Sequence, residues 1–236
     1  MIAPRAITVA TYNIHRCIGT DRRHDPDRIA AVIRELGADI VGLQEVDARY
    51  HIENGCDQAE YIARAAEMMN ISGPALIHHR GTYGNALLTR WPVRAVRRYE
   101  IGIAGREPRV VLDTEVQVGE RTIRVVVTHF GLREPERNQQ AEMLSRILEQ
   151  HKTDRTVLLG DFNEWVPIGR ALQRLHVALG RSRGVRSFPS PLPLFALDRV
   201  WVRPARALQG LCAHRSRLAR VASDHLPVRA AVEIGD

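Results

Sequence analysis

The chain is poor in cysteine, and its cysteines form no paired motif. Cys17, Cys56 and Cys212 are an odd number without Cys-x-x-Cys spacing, which argues against both a disulfide framework and a zinc knuckle. No run approaches the roughly 18 apolar residues of a membrane-spanning helix. The first residues, Met1–Ile7, contain no apolar stretch typical of a signal peptide. We therefore expect no transmembrane segment and a reducing, cytoplasmic setting.

Lysine and aromatic residues are also scarce. Lys152 is the one lysine among 34 basic residues. The formal net charge of +7 indicates phosphate-bearing partners, although such a strong bias toward arginine reflects codon composition as much as a binding surface. Aromatic residues make up 5% of the chain, which is low for a protein that wedges into DNA or stacks on its bases.

What the chain does have is enough apolar sequence for a large core. It contains 236 residues, of which 44% are hydrophobic, and no low-complexity tract divides it, so we expect one domain over residues 1–236. Short β-branched runs predict strands and 3.6-residue periodicity predicts helices. The predicted strands are 7–13, 39–45, 85–89, 109–118, 121–128, 156–163, 198–202, 205–214 and 228–234. The predicted helices are 26–36, 57–69, 135–150 and 168–179, and 187–193 is a proline-rich loop.

Several apolar strands are followed at once by polar side chains. This pattern occurs at Asn13, Glu45, His129 and Asp161 with Asn163. The same kinds of residue stand beside the final strand at Asp224–His225, while Asp198 begins its strand. Each instance alone has a simple explanation, because strand ends meet solvent and Asn or Gly-Asp pairs favour turns. Together they suggest a single polar site.

This set of residues suits metal-assisted phosphodiester hydrolysis. A hard divalent cation takes oxygen ligands from one or two carboxylates and leaves positions for water and phosphate. Glu45 and Asp224, helped by the neutral Asn13, supply such ligands. Hydrolysis also needs groups that activate water and stabilise the phosphoryl charge. These roles suit His225, Asp161, Asn163 and His129, and a carboxylate such as Asp198 can orient an imidazole.

Seven motifs resemble those of the endonuclease/exonuclease/phosphatase superfamily, and they occur in the order found in that family. The superfamily includes DNase-type nucleases, abasic-site endonucleases, neutral sphingomyelinases and inositol-polyphosphate 5-phosphatases. The resemblance covers nearly the whole chain. The motifs are T-Y-N-I-H (11–15), L-Q-E-V (43–46), G-N-A-L-L-T-R (84–90), T-H-F (128–130), G-D-F-N (160–163), D-R-V-W (198–201) and S-D-H-L-P-V (223–228).

The resemblance implies an α/β fold, a four-layer α/β/β/α sandwich of two packed mixed β-sheets flanked by helices. It also implies Mg²⁺-dependent cleavage of a phosphate ester, with Mn²⁺ often substituting. In that family pattern Glu45 is the principal metal ligand, and Asn13 and Asp224 contribute to the metal site.

The same resemblance implies the catalytic roles. Asp198 orients the catalytic His225, and Asp161 with Asn163 handles proton transfer and the orientation of phosphate or water. His129 matches the second histidine of the DNase and sphingomyelinase branches. Whether Asp161 or His225 is the general base stays open.

Two further residues are candidates for binding the substrate phosphate. Asn85 either holds a phosphate oxygen or caps a turn after Gly84. Arg109 begins a strand and could bind phosphate through two nitrogens, but with so many arginines present a surface position is slightly favoured.

Five other residues are given structural roles. His15, His78 and His79 have no partner among the motifs. Trp91 and Trp201 lie in apolar strand contexts, which favours positions in the core over a base-stacking surface.

The sequence leaves the substrate open. The chain is short for the superfamily, and Thr128–Leu132 together with Phe188–Ser190 looks like a small bacterial hydrolase branch. A phosphate-ester substrate that is a peripheral membrane lipid or another small phosphodiester is the first expectation. A nuclease acting on DNA or RNA is the second, and an inactive phosphate-binding member of the family is the third.

Overall fold

The computed structural model describes residues 4–48, 57–78, 81–151 and 153–235. Eleven strands are present in these ranges: β1 (Ala6–Asn13), β2 (Ile40–Asp47), β3 (Met69–His78), β4 (Gly81–Thr89), β5 (Val93–Glu100), β6 (Val110–Val118), β7 (Arg121–His129), β8 (Thr156–Asp161), β9 (Asp198–Arg203), β10 (Leu208–Ala213) and β11 (Val228–Glu233). The helices are α1 (Pro26–Leu36), α2 (Gln58–Ala65), α3 (Glu134–Gln150), α4 (Arg170–Leu179) and α5 (Ala219–Ala222). Of the helices in the described ranges, none has the length and apolar character needed to cross a membrane.

The strands form two mixed sheets. One has six strands in the order β10-β11-β1-β2-β4-β3, and the other has five in the order β5-β6-β7-β8-β9. The pairs β1–β2 and β7–β8 are parallel, and the remaining pairs are antiparallel.

Three apolar cores separate the layers. The core between the sheets includes Val9, Val127 and Val200. A second core packs α1, α2 and α5 against the six-stranded sheet, and a third packs α3 and α4 against the five-stranded sheet. Side chains of β9 alternate between two of these cores, since Val200 faces the other sheet and Trp201 faces the helices. The four-layer α/β/β/α sandwich is thus confirmed.

Some predicted elements differ from the observed ones. The helix expected to reach Met69 ends at Ala65, and Met69 begins the unpredicted strand β3 with 45% of its surface exposed. Strand β5 was also not predicted, because its side chains are half-buried or exposed throughout and arginines interrupt its apolar pattern. The periodicity of the predicted helix 135–150 places Met143, Leu144, Ile147 and Leu148 on its core face. Met143 is instead 37% exposed, because the buried face of α3 is centred on Leu144.

Other predictions hold. The predicted strands 109–118 and 121–128 are separated only by Gly119–Glu120, which predicts a hairpin, and β6 and β7 form it. The proline-rich segment 187–193 lies in a loop. Trp201 is buried, and Trp91 packs half-buried against the core between the sheets. Cys17 and Cys212 are free thiols, whereas Cys56 lies outside the described residues.

A fully buried ion pair joins β6, β7 and α3. Arg124 binds Asp113 through two nitrogens at 3.0 and 2.7 Å, and both side chains are 0% exposed. The same guanidinium donates to the carbonyls of Ile147, Leu148 and His151 at the C-terminal end of α3. Arg124 therefore supplies donors to carbonyls that the helix leaves without partners.

Gly160 is a position where we expect an added methyl group to destabilise the sheet. It pairs with Thr128 between β8 and β7, and a Cβ there would lie 2.5 Å from the Thr128 carbonyl oxygen. We expect Gly160→Ala to lower the free energy of unfolding by about 1–3 kcal/mol, the usual cost of overpacking. Urea unfolding measures the change. The control is Gly210→Ala, because a Cβ at Gly210 would meet no atom of the described part of the chain within 4 Å. Equal stability of the two variants would contradict the expectation.

Candidate active site

The polar strand ends meet at one edge of the sandwich. Asn13, His129 and Asp161 are the last residues of β1, β7 and β8. Strand β9 runs antiparallel to β8 and begins at Asp198, so the register places His129, Asp161 and Asp198 side by side on neighbouring strands. Strand β11 runs antiparallel to β1, which brings the preceding His225 to the same edge.

Glu45 and Asn163 reach the site through unusual backbone conformations. Pairing between β2 and β4 shifts register between Leu43 and Val46, a bulge that contains Glu45. Glu45 has a φ of 57° and Asn163 a φ of 48°. Backbone strain of this kind costs about 1–3 kcal/mol and clusters at active sites, where β-bulges are also over-represented. The bulge redirects the Glu45 carboxylate toward the site.

Asn13 links the two sheets. Its Nδ2 donates to Glu45 Oε1 at 3.1 Å and to Asp161 Oδ2 at 3.0 Å. Its Oδ1 accepts the backbone N–H of His15 at 3.0 Å. The side chain therefore holds a carboxylate of each sheet in place through its nitrogen, and its predicted role as a direct metal ligand stays a prediction.

His225 is held between two carboxylates. Its Nδ1 lies 2.8 Å from Asp198 Oδ2, which also accepts the Ser187 hydroxyl at 2.5 Å. Its Nε2 lies 3.7 Å from Asp161 Oδ2. Burial alone lowers the pKa of His225, but the charges of Asp198 and Asp161 outweigh it and raise the pKa. The imidazole is therefore stabilised in its protonated form.

Asp161 is a buried carboxylate with a higher pKa than an exposed carboxylate has. Asp161 is 1% exposed, and burial raises its pKa, although His225 opposes the shift. A desolvated carboxylate with a raised pKa accepts protons more readily than an ordinary one. Asp161 and His225 thus form a pair suited to moving a proton.

His129 is a second buried imidazole with a different charge state. Its Nδ1 lies 3.4 Å from Arg109 Nη1, and its Nε2 lies 3.1 Å from Asn163 Nδ2 and 3.5 Å from Asp161 Oδ2. Burial and the charge of Arg109 lower the pKa of His129. His129 is therefore neutral beside a cationic His225.

The residues predicted as metal ligands have suitable chemistry for a hard cation. Asp224 is connected to Asn13 through Ser223, whose hydroxyl donates to the Asn13 carbonyl at 2.8 Å and lies 3.3 Å from Asp224 Oδ1. The side chains of Asp224 and Glu45 are 36% and 18% exposed. Two partly exposed carboxylates with room for water are the donors that Mg²⁺ takes.

Asp161, Asp198 and His225 also lie close enough for shared coordination, with ligand atoms within 4.8 Å of one another. However, Asp198 Oδ2 already bonds both His225 and Ser187. We interpret these three residues as a hydrogen-bonded acid–base group, and Glu45 with Asp224 as the candidate metal ligands.

Arg109 differs from the sequence expectation. The slightly favoured surface position is wrong, because the side chain is 5% exposed and directed at His129. Its Nη2 also pairs with Glu107 Oε2 at 2.7 Å. Asn85 lies inside β4, so it caps no turn, and its Nδ2 donates to the Val110 carbonyl of the other sheet at 3.0 Å. The phosphate-binding role of both residues stays a prediction.

Sequence reasoning missed some residues at the site. The motifs predict only a structural role for His15, yet its Nδ1 lies 3.6 Å from Asp224 Oδ1. Its position two residues after Asn13 is the signal in the sequence that points to the site. Ser187, which binds Asp198, carried no signal in its proline-rich context. The side chain of His78 and the whole of His79 lie outside the described residues.

The chain resembles known proteins along nearly its full length. The uncharacterised protein YbhP of Escherichia coli K12 is 32% identical over 245 residues, which cover 96% of each chain. A crystal structure of an endonuclease/exonuclease/phosphatase from Bacteroides vulgatus has a TM-score of 0.81 at 19% identity and covers 98% of this chain and 99% of its own. The mannosyl-6-phosphatase Bt3783 of Bacteroides thetaiotaomicron has a TM-score of 0.78 at 16% identity, with 95% and 98% covered.

A match to a family model confirms the family membership that these similarities indicate. The model of the Endonuclease/Exonuclease/phosphatase family matches residues 10–225, a span that contains every candidate site residue. Members of this family hydrolyse phosphoesters and generally depend on divalent metals. The chain therefore belongs to the endonuclease/exonuclease/phosphatase family and is a phosphoester hydrolase.

Proposed function

We propose that the chain is a Mg²⁺-dependent phosphodiesterase whose water nucleophile is activated by the Asp161–His225 pair. The observation that carries the proposal is the position of His225, 2.8 Å from Asp198 and 3.7 Å from Asp161, which Asn13 links to the Glu45 carboxylate. An imidazole oriented by one carboxylate and facing another can transfer a proton to or from a water molecule.

Each residue has a distinct task in this proposal. Glu45 and Asp224 would hold Mg²⁺, or Mn²⁺ in its place, and Asn13 positions Glu45 relative to Asp161. A cation held there would neutralise charge on the phosphate and on its leaving oxygen. Asp198 fixes the orientation of His225. His129, Asn163 and Arg109 surround the phosphate with donors; Arg109 keeps a buried positive charge at the site.

A lipid or another small phosphodiester with an apolar part is the substrate class we propose first. Two loops near the site expose large apolar side chains, and one of them carries Phe188, whose ring lies 4.7 Å from that of His225. An apolar rim is suited to a substrate that is not wholly polar. The exposed residues are Trp165, Val166, Ile168, Leu192, Leu194 and Phe195.

A nuclease is the second candidate. The net charge of +7 favours a polyanionic substrate, and the exposed rings of Trp165 and Phe195 offer surfaces on which bases can stack. An inactive family member has less support, because each predicted catalytic position holds a residue able to perform its chemistry.

Loss of the metal should abolish hydrolysis, and Glu45 should determine how tightly the metal binds. We expect EDTA to remove activity on bis-p-nitrophenyl phosphate and added Mg²⁺ to restore it. Glu45→Gln should raise the Mg²⁺ concentration needed for half-maximal activity by about tenfold or more, since it removes a charged ligand. The control is Glu142→Gln, an exposed glutamate on α3. Equal metal requirement in wild type and Glu45→Gln would refute the assignment.

Rates measured on three substrates side by side distinguish the proposed substrate classes. We expect release of phospholipid headgroups from mixed micelles to exceed plasmid nicking and dephosphorylation of mannose 6-phosphate at equal enzyme concentration. A nuclease held by phosphate contacts should instead nick plasmid fastest and weaken steeply as salt rises. If plasmid nicking is the fastest of the three activities and weakens as salt rises, the protein is a nuclease and the lipid proposal is wrong.

A further inference from the structure

A pocket lies beside the catalytic edge, on the outer face of the five-stranded sheet. It has a volume of about 410 Å³, and we call it the Arg199 pocket. Arg199 follows Asp198 in β9 and so points to the opposite face of the sheet. The residues of the Arg199 pocket used below are Trp165, His176, Gly184, Arg186, Phe195 and Arg199.

The guanidinium of Arg199 is buried, and no acidic side chain among the described residues binds it. The residue is 5% exposed. Its Nε donates to the Ala196 carbonyl at 3.2 Å, whereas Nη1 and Nη2 make no hydrogen bond or ion pair with the residues described in the structure. Gly184 allows the guanidinium to pack closely against the backbone, because a Cβ at this position would lie 2.9 Å from Nη1. Because Arg199 lines the Arg199 pocket, these two nitrogens are donors that a ligand in the pocket can use.

The neighbouring acids are engaged elsewhere. Glu164 lines the Arg199 pocket, but Arg137 binds both of its carboxylate oxygens, at 3.3 and 3.2 Å. Asp198 bonds His225 on the other face of the sheet. Burial lowers the pKa of Arg199, although both acids oppose the shift. A buried cation in this position gains from an anionic ligand.

The rest of the Arg199 pocket is neutral or positive. Nδ1 of His176 accepts the indole N–H of Trp201 at 3.2 Å and the backbone N–H of Ser182 at 3.3 Å. Burial lowers the pKa of His176, so this ring stays neutral. Arg186 is exposed at the rim and adds a second positive charge.

We propose that the Arg199 pocket is a second anion-binding site that takes a phosphate group. The two free nitrogens of Arg199 match two oxygens of a phosphate in the fork geometry that arginine provides. The Arg199 pocket also shares an aromatic wall with the catalytic site. Trp165 contacts Phe195 at 4.9 Å and Phe188 at 5.6 Å between ring centroids, and Phe188 contacts His225. The phosphate is either free or a second phosphate carried by the substrate, and the latter source rests on the proposed function.

Calorimetric titration with inorganic phosphate in EDTA tests the binding apart from catalysis. We expect R199Q to weaken phosphate binding by about tenfold to a hundredfold, since it removes hydrogen bonds from a charged donor. Arg199→Lys keeps the charge without the fork and should bind with intermediate affinity. The control is R174Q, an exposed arginine on α4, which should bind like wild type. Wild type that binds no phosphate at millimolar concentration, or an Arg199→Lys variant and R199Q that both bind equally to wild type, would overturn the proposal.

Kinetics then identify the source of the phosphate. Two substrates are compared that share the scissile ester and differ by a second phosphate group. If that group occupies the Arg199 pocket, R199Q should raise the KM ratio of the bisphosphorylated to the monophosphorylated substrate by about tenfold. An unchanged ratio together with lost calorimetric binding supports a free phosphate ligand. If neither substrate is hydrolysed, the proposed function fails and the calorimetry still decides the Arg199 pocket.

Discussion

Replacing His225 with glutamine should lower kcat for Mg²⁺-dependent hydrolysis of bis-p-nitrophenyl phosphate by about a thousandfold. Positioned acid–base groups contribute typically about 10²–10⁴-fold. His225 lies between Asp198 and Asp161, two carboxylates of the five-stranded sheet, so glutamine can keep part of the hydrogen bonding but cannot carry the proton. KM should change less than kcat, because the group acts on the reacting atoms.

The matched control is His214→Gln. His214 is a partly exposed histidine that also pairs with a carboxylate, Glu35 Oε2 at 2.8 Å. It follows β10, the edge strand of the six-stranded sheet, and is not one of the candidate catalytic residues. Its kcat should match wild type. The kcat of Asp198→Asn should lie between those of His225→Gln and His214→Gln, since the imidazole of His225 would stay in place with a weaker partner. A His225→Gln enzyme with wild-type kcat would refute the assigned role.

Removing Asp113 should be among the most destabilising single changes in the chain. Asp113→Ala leaves Arg124 charged and fully buried, with three carbonyl partners but no carboxylate. Breaking a buried pair in this way costs about 3–5 kcal/mol. We expect that loss in the free energy of unfolding measured with urea, and hydrogen exchange should show earlier opening at the C-terminal end of α3.

A second pair provides the comparison. Arg97 and Glu115 join β5 to β6 at 2.7 Å, but their side chains are 31% and 27% exposed. Glu115→Ala should therefore cost only about 0–1 kcal/mol. The double variant Asp113→Leu/Arg124→Met should recover part of the loss, because no charge is left unpaired. Equal costs for Asp113→Ala and Glu115→Ala would show that burial does not determine the strength of the pair.

The site residues that stand at the ends of strands could be predicted from the sequence. Parallel strands such as β1 and β2 end at the same edge of a sheet, so polar residues that follow apolar runs must meet there. The order of the motifs indicated the family, and the family indicated the sandwich. Glu45, Asp161 and His225 could therefore be placed without coordinates.

Features that depend on side-chain direction could not be predicted. Arg109 resembles the other arginines of the chain in its local sequence, and only the packing of β6 against β7 shows that it points at His129. His15 comes near Asp224 because residues 15–17 all have positive φ, a conformation that non-glycine residues rarely adopt. Strand β5 has too few buried side chains to be distinguished from a loop by its pattern.

The catalytic residues come from both sheets, and this division has a consequence for inactivation. Asn13, Glu45 and His225 belong to the six-stranded sheet and its following loops, whereas Asp161 and Asp198 belong to the five-stranded sheet. A slide of one sheet over the other by an ångström would lengthen the Asn13–Asp161 and His225–Asp198 contacts while leaving every strand hydrogen bond intact. Turnover should therefore decline at lower urea concentrations than the circular dichroism signal does. Loss of activity would then report a change in the alignment of the two sheets before either sheet unfolds.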